Sequence, residues 1–119
     1  GTEQKKRVTL VTGGITTYNM SLNDNILEVV TTNSGTINLP SVAAAAGRTY
    51  AIHSVSVATD QTATVQPKRQ GSDAEALILS GTSAITNRTF TTATHSGYLV
   101  LYSTGSVWIV LGHSVGVAA

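Results

Sequence analysis

Short runs of alternating apolar and polar residues, separated by turn residues, cover most of the chain. Period-two alternation is the pattern of half-buried β-strands. The predicted strands cover residues 7–12, 15–20, 26–31, 36–39, 50–53, 54–57, 62–65, 76–79, 84–85 and 88–91. The apolar phase changes between Ile52 and Val55, which predicts a bulge or a break near His53. Turn signals recur at the interval typical of a β-sandwich or a small barrel.

The clearest element is a hairpin near the end of the chain, with strands at residues 98–102 and 107–111. Only one segment favours a helix: Ser41 can cap it, Val42–Ala46 is little longer than one turn, and Gly47 suits its end. The sequence therefore predicts an all-β fold. We expect an antiparallel two-sheet sandwich or jelly-roll-like unit, with one short helical turn near residues 42–46.

The composition favours the same fold class. Charged residues make up 11% of the chain, against about 25% in typical proteins, and Thr and Ser supply most of the polar surface. Thr and Val suit the pleated surface of a sheet better than Lys and Glu do. A surface with so little charge also indicates a domain that packs against copies of itself or against a larger particle.

The length of 119 residues fits one domain. We expect a flexible N-terminal arm over residues 1–6, a single β domain over residues 7–119, and no internal repeat. The net charge of +1 gives no general attraction to nucleic acid or to a membrane surface. No apolar run approaches the length of a membrane span, so neither is an expected partner.

The sequence offers little for catalysis. Gly112–Gly116 matches the G-x-S-x-G motif around Ser114, but that motif needs a following helix and a downstream acid and His. Only Val117–Ala119 follow. The three histidines have no zinc-ligand spacing, and there are no cysteines. We therefore predict no catalytic residue, no cofactor and no metal; a hydrolase using Ser114 is the remaining enzyme hypothesis.

Three groups of residues are candidates for binding. The first is a basic segment, which is either a solvated arm or a contact arm for an acidic partner: Lys5, Lys6, Arg7 and Thr9. The second is the most polar loop, expected to be an exposed tip: Gln66, Lys68, Arg69, Gln70 and Asp73. The third is aromatic: Tyr98 and Tyr102 share a strand face with Val100, which favours a subunit interface over a ligand platform, and Trp108 fits a core or an interface.

Several segments together resemble a module common in tailed-phage virion proteins. They are Thr36–Pro40, Ala43–Tyr50, Gln66–Gly81 and Tyr98–Val110, within residues 26–111. The resemblance implies a trimeric β-sandwich or jelly-roll-like unit of head decoration proteins, tail fibres and tailspikes, with no shared catalytic residues.

The expected function is therefore that of a non-enzymatic protein of the virion surface. The first hypothesis is a homotrimeric capsid decoration (cement) protein that binds the major capsid protein, with residues 2–12 as its tether. The alternative is a tail-fibre or tailspike module that binds a host surface glycan through the loop at residues 66–73 and exposed tyrosines.

Overall fold

The computed structural model describes residues 5–10, 16–32, 34–56, 63–67, 76–79, 89–91, 96–114 and 117–118. These residues form strands and turns, and none of them lies in a helix. The strands are β1 (Lys5–Leu10), β2 (Thr17–Asn19), β3 (Ile26–Thr31), β4 (Gly35–Asn38), β5 (Thr49–Ser56), β6 (Ala63–Gln66), β7 (Ala76–Leu79), β8 (Thr89–Thr91), β9 (Ser96–Ser103), β10 (Val107–His113) and β11 (Val117–Ala118). In this part of the chain no helix could cross a membrane.

The first six strands alternate between two sheets. One sheet has the order β1-β3-β5-β9-β10-β7, and the other has the order β11-β8-β6-β4-β2. Strands β1, β3 and β5 pair in parallel in the first sheet, and β2, β4 and β6 do so in the second. We call a strand of the first sheet, together with the strand that follows it in the second sheet, a β-coil. The three β-coils are β1–β2, β3–β4 and β5–β6, and they stack side by side in one direction.

The remaining strands reverse the pairing at one end of this stack. Strand β9 is antiparallel to β5, and β8 is antiparallel to β6. Strand β10 is antiparallel to β9 and parallel to β7, and β11 is antiparallel to β8. We call β7–β11 the cap, and the opposite end, formed by β1 and β2, the first-coil edge.

Alternation within the strands places one core between the two sheets. In β3, Leu27, Val29 and Thr31 are buried while the residues between them are partly exposed. The largest buried side chain is Trp108, whose ring meets that of Tyr50 edge to face at a centroid distance of 5.7 Å. Ile37 and Val65 contribute to the same core from the second sheet.

Residues 42–47 form consecutive turns rather than a helix. The Ala45 N–H donates to the Ser41 carbonyl at 2.9 Å, which closes a single α-turn. Two contacts hold this segment against the end of β9: the Gly47 N–H donates to the Ser103 carbonyl at 2.8 Å, and Ser103 Oγ donates to the Val42 carbonyl at 2.6 Å. The predicted helical turn is therefore present as one α-turn followed by two tighter turns, because five residues cannot propagate a helix.

The described residues form an all-β structure of two sheets, as expected, but the expectation that the sheets are antiparallel is wrong for much of the structure. Five of the nine described strand pairs are parallel, and four are antiparallel. Alternation and turn residues indicate where strands lie but not which strands pair. The predicted terminal hairpin is confirmed, because β9 and β10 are antiparallel neighbours joined through Thr104–Ser106.

Two boundary predictions also need correction. Strand β5 is continuous, with an unbroken register to β9 from Thr49 to Val55, so there is no break near His53. The buried positions of β5 are Tyr50, Ile52 and Ser54. Because Ser54 is polar, the hydrophobic pattern of the sequence does not show that this position belongs to the buried row. At the N-terminus, β1 begins at Lys5, so Lys5 and Lys6 belong to a strand rather than to a flexible arm. The predicted strand at residues 84–85 lies outside the described residues.

Candidate functional site

A ladder of side-chain amides joins the three β-coils. Asn19, Asn38 and Gln66 are the last residues of β2, β4 and β6, and they are in register. Asn38 Nδ2 donates to Asn19 Oδ1 at 2.8 Å, and Gln66 Nε2 donates to Asn38 Oδ1 at 2.8 Å. Stacked carboxamides of this kind support parallel, in-register strands. Because the donors all point toward β2, the ladder ends at Asn19, whose Nδ2 donates to no described residue.

The sequence carries a signal for this ladder. Thr17-Tyr18-Asn19, Thr36-Ile37-Asn38 and Thr64-Val65-Gln66 share the pattern Thr, apolar, carboxamide. The register aligns the three segments residue by residue. The three segments therefore occupy equivalent positions in successive β-coils, and connections of unequal length separate them in the sequence.

The backbone of β2 shows which polar groups lie at the first-coil edge. The Thr36 N–H donates to the Thr16 carbonyl and the Met20 N–H donates to the Asn38 carbonyl, both at 2.9 Å. In a parallel strand, alternate residues direct their backbone groups to opposite sides. The N–H and C=O groups of Thr17 and Asn19 therefore point away from β4, along the edge of the sheet.

The other strand of this edge is basic. Lys5, Lys6, Arg7 and Thr9, the predicted contact arm, all lie in β1. Arg7 Nη2 pairs with Glu28 Oε1 of β3 at 3.0 Å, and the arginine side chain remains 67% exposed. Such an exposed pair contributes less than about 1 kcal/mol to stability. Lys6 and Thr9 are also exposed.

The outward side of the first sheet is rich in apolar groups. Tyr98 is 46% exposed and Leu111 is 60% exposed, the two exposed large hydrophobic side chains in the described part of the chain. Half-buried apolar residues adjoin them on the same side; we call this set the outer sheet face: Tyr98, Val100, Tyr102, Ile109 and Leu111. Tyr98 and Tyr102 thus lie beside Val100 on an accessible surface, whereas Trp108 is in the core.

A polar cluster holds the turn between β2 and β3. The Tyr18 hydroxyl donates to Asp24 Oδ2 at 2.5 Å, and the Ser21 N–H donates to the same oxygen at 3.0 Å. Burial, assisted by Asp24, raises the pKa of Tyr18 to about 12. Tyr50 and Arg48 both donate to the Leu22 carbonyl, at 2.9 Å and 3.1 Å. Each of these donors has an acceptor within the cluster, and the resulting hydrogen bonds stabilise the turn.

Ser114 is not in the setting that its motif requires. It follows β10, and its Oγ accepts a hydrogen bond from the Tyr98 N–H at 2.9 Å. Its own N–H donates to the Tyr98 carbonyl at 3.1 Å, which extends the pairing of β10 with β9. The next described element is strand β11, where a nucleophile elbow needs a helix. The described residues enclose no pocket and hold no group of side chains suited to a metal ion.

The predicted tip loop is only partly within the described residues. Gln66 is the last residue of β6, half-buried, and its side chain belongs to the ladder. Lys68, Arg69, Gln70 and Asp73 lie outside the described part of the chain. Within the described residues, the candidate binding surfaces are therefore the first-coil edge and the outer sheet face.

Comparison with protein-family models and with curated proteins gives no match to this chain.

Proposed function

We propose that this chain is a non-enzymatic structural module of a tailed-phage virion, and that it ends an elongated fibre or spike. One observation carries the proposal: three parallel β-coils stack in one direction, and reversed strands close one end of the stack. The resemblance of residues 26–111 to virion modules supports the proposed class of particle, and the stacked coils support a position at the end of a fibre or spike.

Stacked coils are suited to elongated assemblies because each coil buries its apolar residues against its neighbours. A stack can be lengthened by further coils, and its ends need capping elements of different structure. Here β8 and β9 reverse the pairing of both sheets after the third coil. A module with this geometry fits the end of a fibre or spike, at the virion surface, with a host surface glycan as the natural partner of such a tip.

A capsid decoration protein is the second candidate, and the two surfaces favour it specifically. The outer sheet face could bury Tyr98 and Leu111 between copies in a homotrimer of two-sheet sandwiches. The exposed Lys6 and Arg7 of β1 could then contact acidic groups of the major capsid protein. In this version the contact is a strand of the domain rather than the flexible tether expected from the sequence.

Immunogold electron microscopy of the phage particles that carry this protein tests both candidates. An antibody raised against the purified chain should label the ends of fibres or spikes. Label spread over the head would overturn the fibre assignment in favour of the decoration protein. Particles without label, from a lysate in which the same antibody detects the free chain, would overturn the virion proposal itself.

A further inference from the structure

We propose that the first-coil edge is a docking site for one more parallel β-coil, whose first strand is acidic and whose second strand ends in Asn or Gln. This inference rests on the proposed function, because it names what binds the end of the stack that lies opposite the cap. Three observations support it: the outward backbone groups of β2, the direction of the amide ladder, and the charge of β1.

The backbone of the edge is prepared for pairing. Among the described strands, β1 and β2 are the terminal strands of their sheets at the same end of the molecule. The N–H and C=O groups of Thr17 and Asn19 point away from β4, as the bonds of Thr16 and Met20 require. A strand added in parallel would satisfy these groups, which is the usual mode of β-augmentation.

The ladder specifies a residue of the docked coil. Gln66 donates to Asn38 and Asn38 donates to Asn19, so every step has the same direction. Asn19 Nδ2 is the next donor, and in register it needs a side-chain oxygen. A carboxamide provides that oxygen, and it also provides a donor for the coil after it.

The positive charge of β1 indicates that the first strand of the docked coil is acidic. Arg7 is matched by Glu28 on its β3 side and remains 67% exposed. Lys6 shares the inward row of β1 with Val8, yet it is exposed. Lysine on an edge strand discourages indiscriminate strand pairing. A second copy docked parallel through its own β1 would place like charges opposite each other, whereas an acidic strand would neutralise them.

The chain itself contains a probe with these properties. Residues 26–38 form the second coil, with Glu28 in register with Arg7 and Asn38 in register with Asn19. The full chain would be extended at Gly1 by a copy of residues 26–38 through a Gly/Ser linker, which gives the copy a high effective concentration. The matched control carries the same extension with Glu28→Lys and Asn38→Ala in the copy only.

Amide hydrogen exchange measures the docking. The N–H groups of Thr17 and Asn19 should exchange at least about tenfold more slowly in the extended chain than in the parent, and the control extension should lose that protection. Asn19→Pro in the chain removes an outward N–H without breaking a backbone hydrogen bond to β4, although it also removes the side-chain bond from Asn38. It should abolish protection at Thr17 while the circular dichroism is retained. Unchanged exchange in the extended chain, or equal protection by the control extension, would overturn the proposal.

Docking of a second copy of the chain at the first-coil edge predicts a different exchange result. Protection of Thr17 and Asn19 in the unextended chain, increasing with protein concentration and removed by Asn19→Pro, would overturn the acidic coil in favour of self-association. Neither result changes where immunogold label lies on the particle, so failure of the docking site and failure of the virion function can be distinguished.

Discussion

The side chain of Asn38 donates a hydrogen bond to Asn19 Oδ1 at 2.8 Å while its own oxygen accepts one from Gln66 at 2.8 Å. Asn38 therefore links all three β-coils through one carboxamide, whereas Asn19 links only two. Because the three residues end equivalent strands, this ladder supports the register of the second sheet.

Replacing Asn38 should destabilise the protein more than replacing Asn19. Asn38→Ala removes two ladder hydrogen bonds and Asn19→Ala removes one, and each is worth about 0.5–1.5 kcal/mol. We expect the free energy of unfolding to fall by about 1–3 kcal/mol in Asn38→Ala and by roughly half as much in Asn19→Ala. Urea denaturation followed by the fluorescence of Trp108 measures both, and equal losses in the two variants would contradict the ladder.

The two glycines with positive φ provide a matched pair. Gly47 has φ 81°, and a Cβ there would meet no atom within 4 Å; Gly105 has φ 98°, and its Cβ would lie 3.2 Å from that of Ala46. Alanine in this conformation costs about 1–2 kcal/mol. We therefore expect Gly105→Ala to lower the thermal midpoint more than Gly47→Ala does.

Ala46→Gly separates the two causes of destabilisation in Gly105→Ala, which are the positive φ and the close contact with Ala46. Combined with Gly105→Ala it removes the close contact but leaves the backbone strain. The double variant should regain part of the stability lost in Gly105→Ala, after correction for Ala46→Gly alone. A double variant with simply additive losses would show that the contact with Ala46 has no effect on stability.

The pKa of Tyr18 makes stability depend on pH in the alkaline range. It is raised from 10.0 to about 12 in the folded protein, chiefly by burial. The stabilisation from this group is fully present below the unfolded value and is lost as the pH rises through the folded value. Tyr50, whose pKa burial also raises, acts in the same direction.

Tyr18→Phe should therefore flatten the alkaline loss of stability. At neutral pH the variant loses the hydrogen bond to Asp24, at a cost of about 1 kcal/mol. Between pH 10 and about 12, its free energy of unfolding should fall less steeply than that of the parent. Urea denaturation at a series of pH values gives both slopes, and parallel slopes would refute the assignment.

Local patterns in the sequence predict the strands better than they predict the pairing. The predicted strands at residues 26–31 and 76–79 coincide with β3 and β7, because alternation and flanking turn residues are local properties. Parallel pairing of β3 with β5 depends on a connection that crosses to the other sheet and returns. No single segment encodes that path.

The same distinction holds for the candidate surfaces. Period-two alternation predicts that Tyr98 and Tyr102 share a face, and they do, because that relation is set within β9. The first-coil edge could not be predicted, since it depends on which strands end the two sheets. Asn19 owes its place at the end of the ladder to the register that sets it beside Asn38, and this register is not a local property of the sequence.

The outer sheet face should control the oligomeric state. Tyr98 is 46% exposed and Leu111 is 60% exposed, and burying them between copies would supply apolar contact area. Because the resemblance to virion modules implies a trimer, we expect light scattering on a sizing column to give about three times the chain mass of 12.3 kDa. The double variant Tyr98→Lys and Leu111→Lys should give the single-chain mass, because charged side chains would have to be buried at the interface.

Ala44→Lys, on the exposed turn before β5, serves as the control and should keep the parent mass. A parent protein of single-chain mass, or an unchanged assembly in the double variant, would exclude the outer sheet face as the subunit interface.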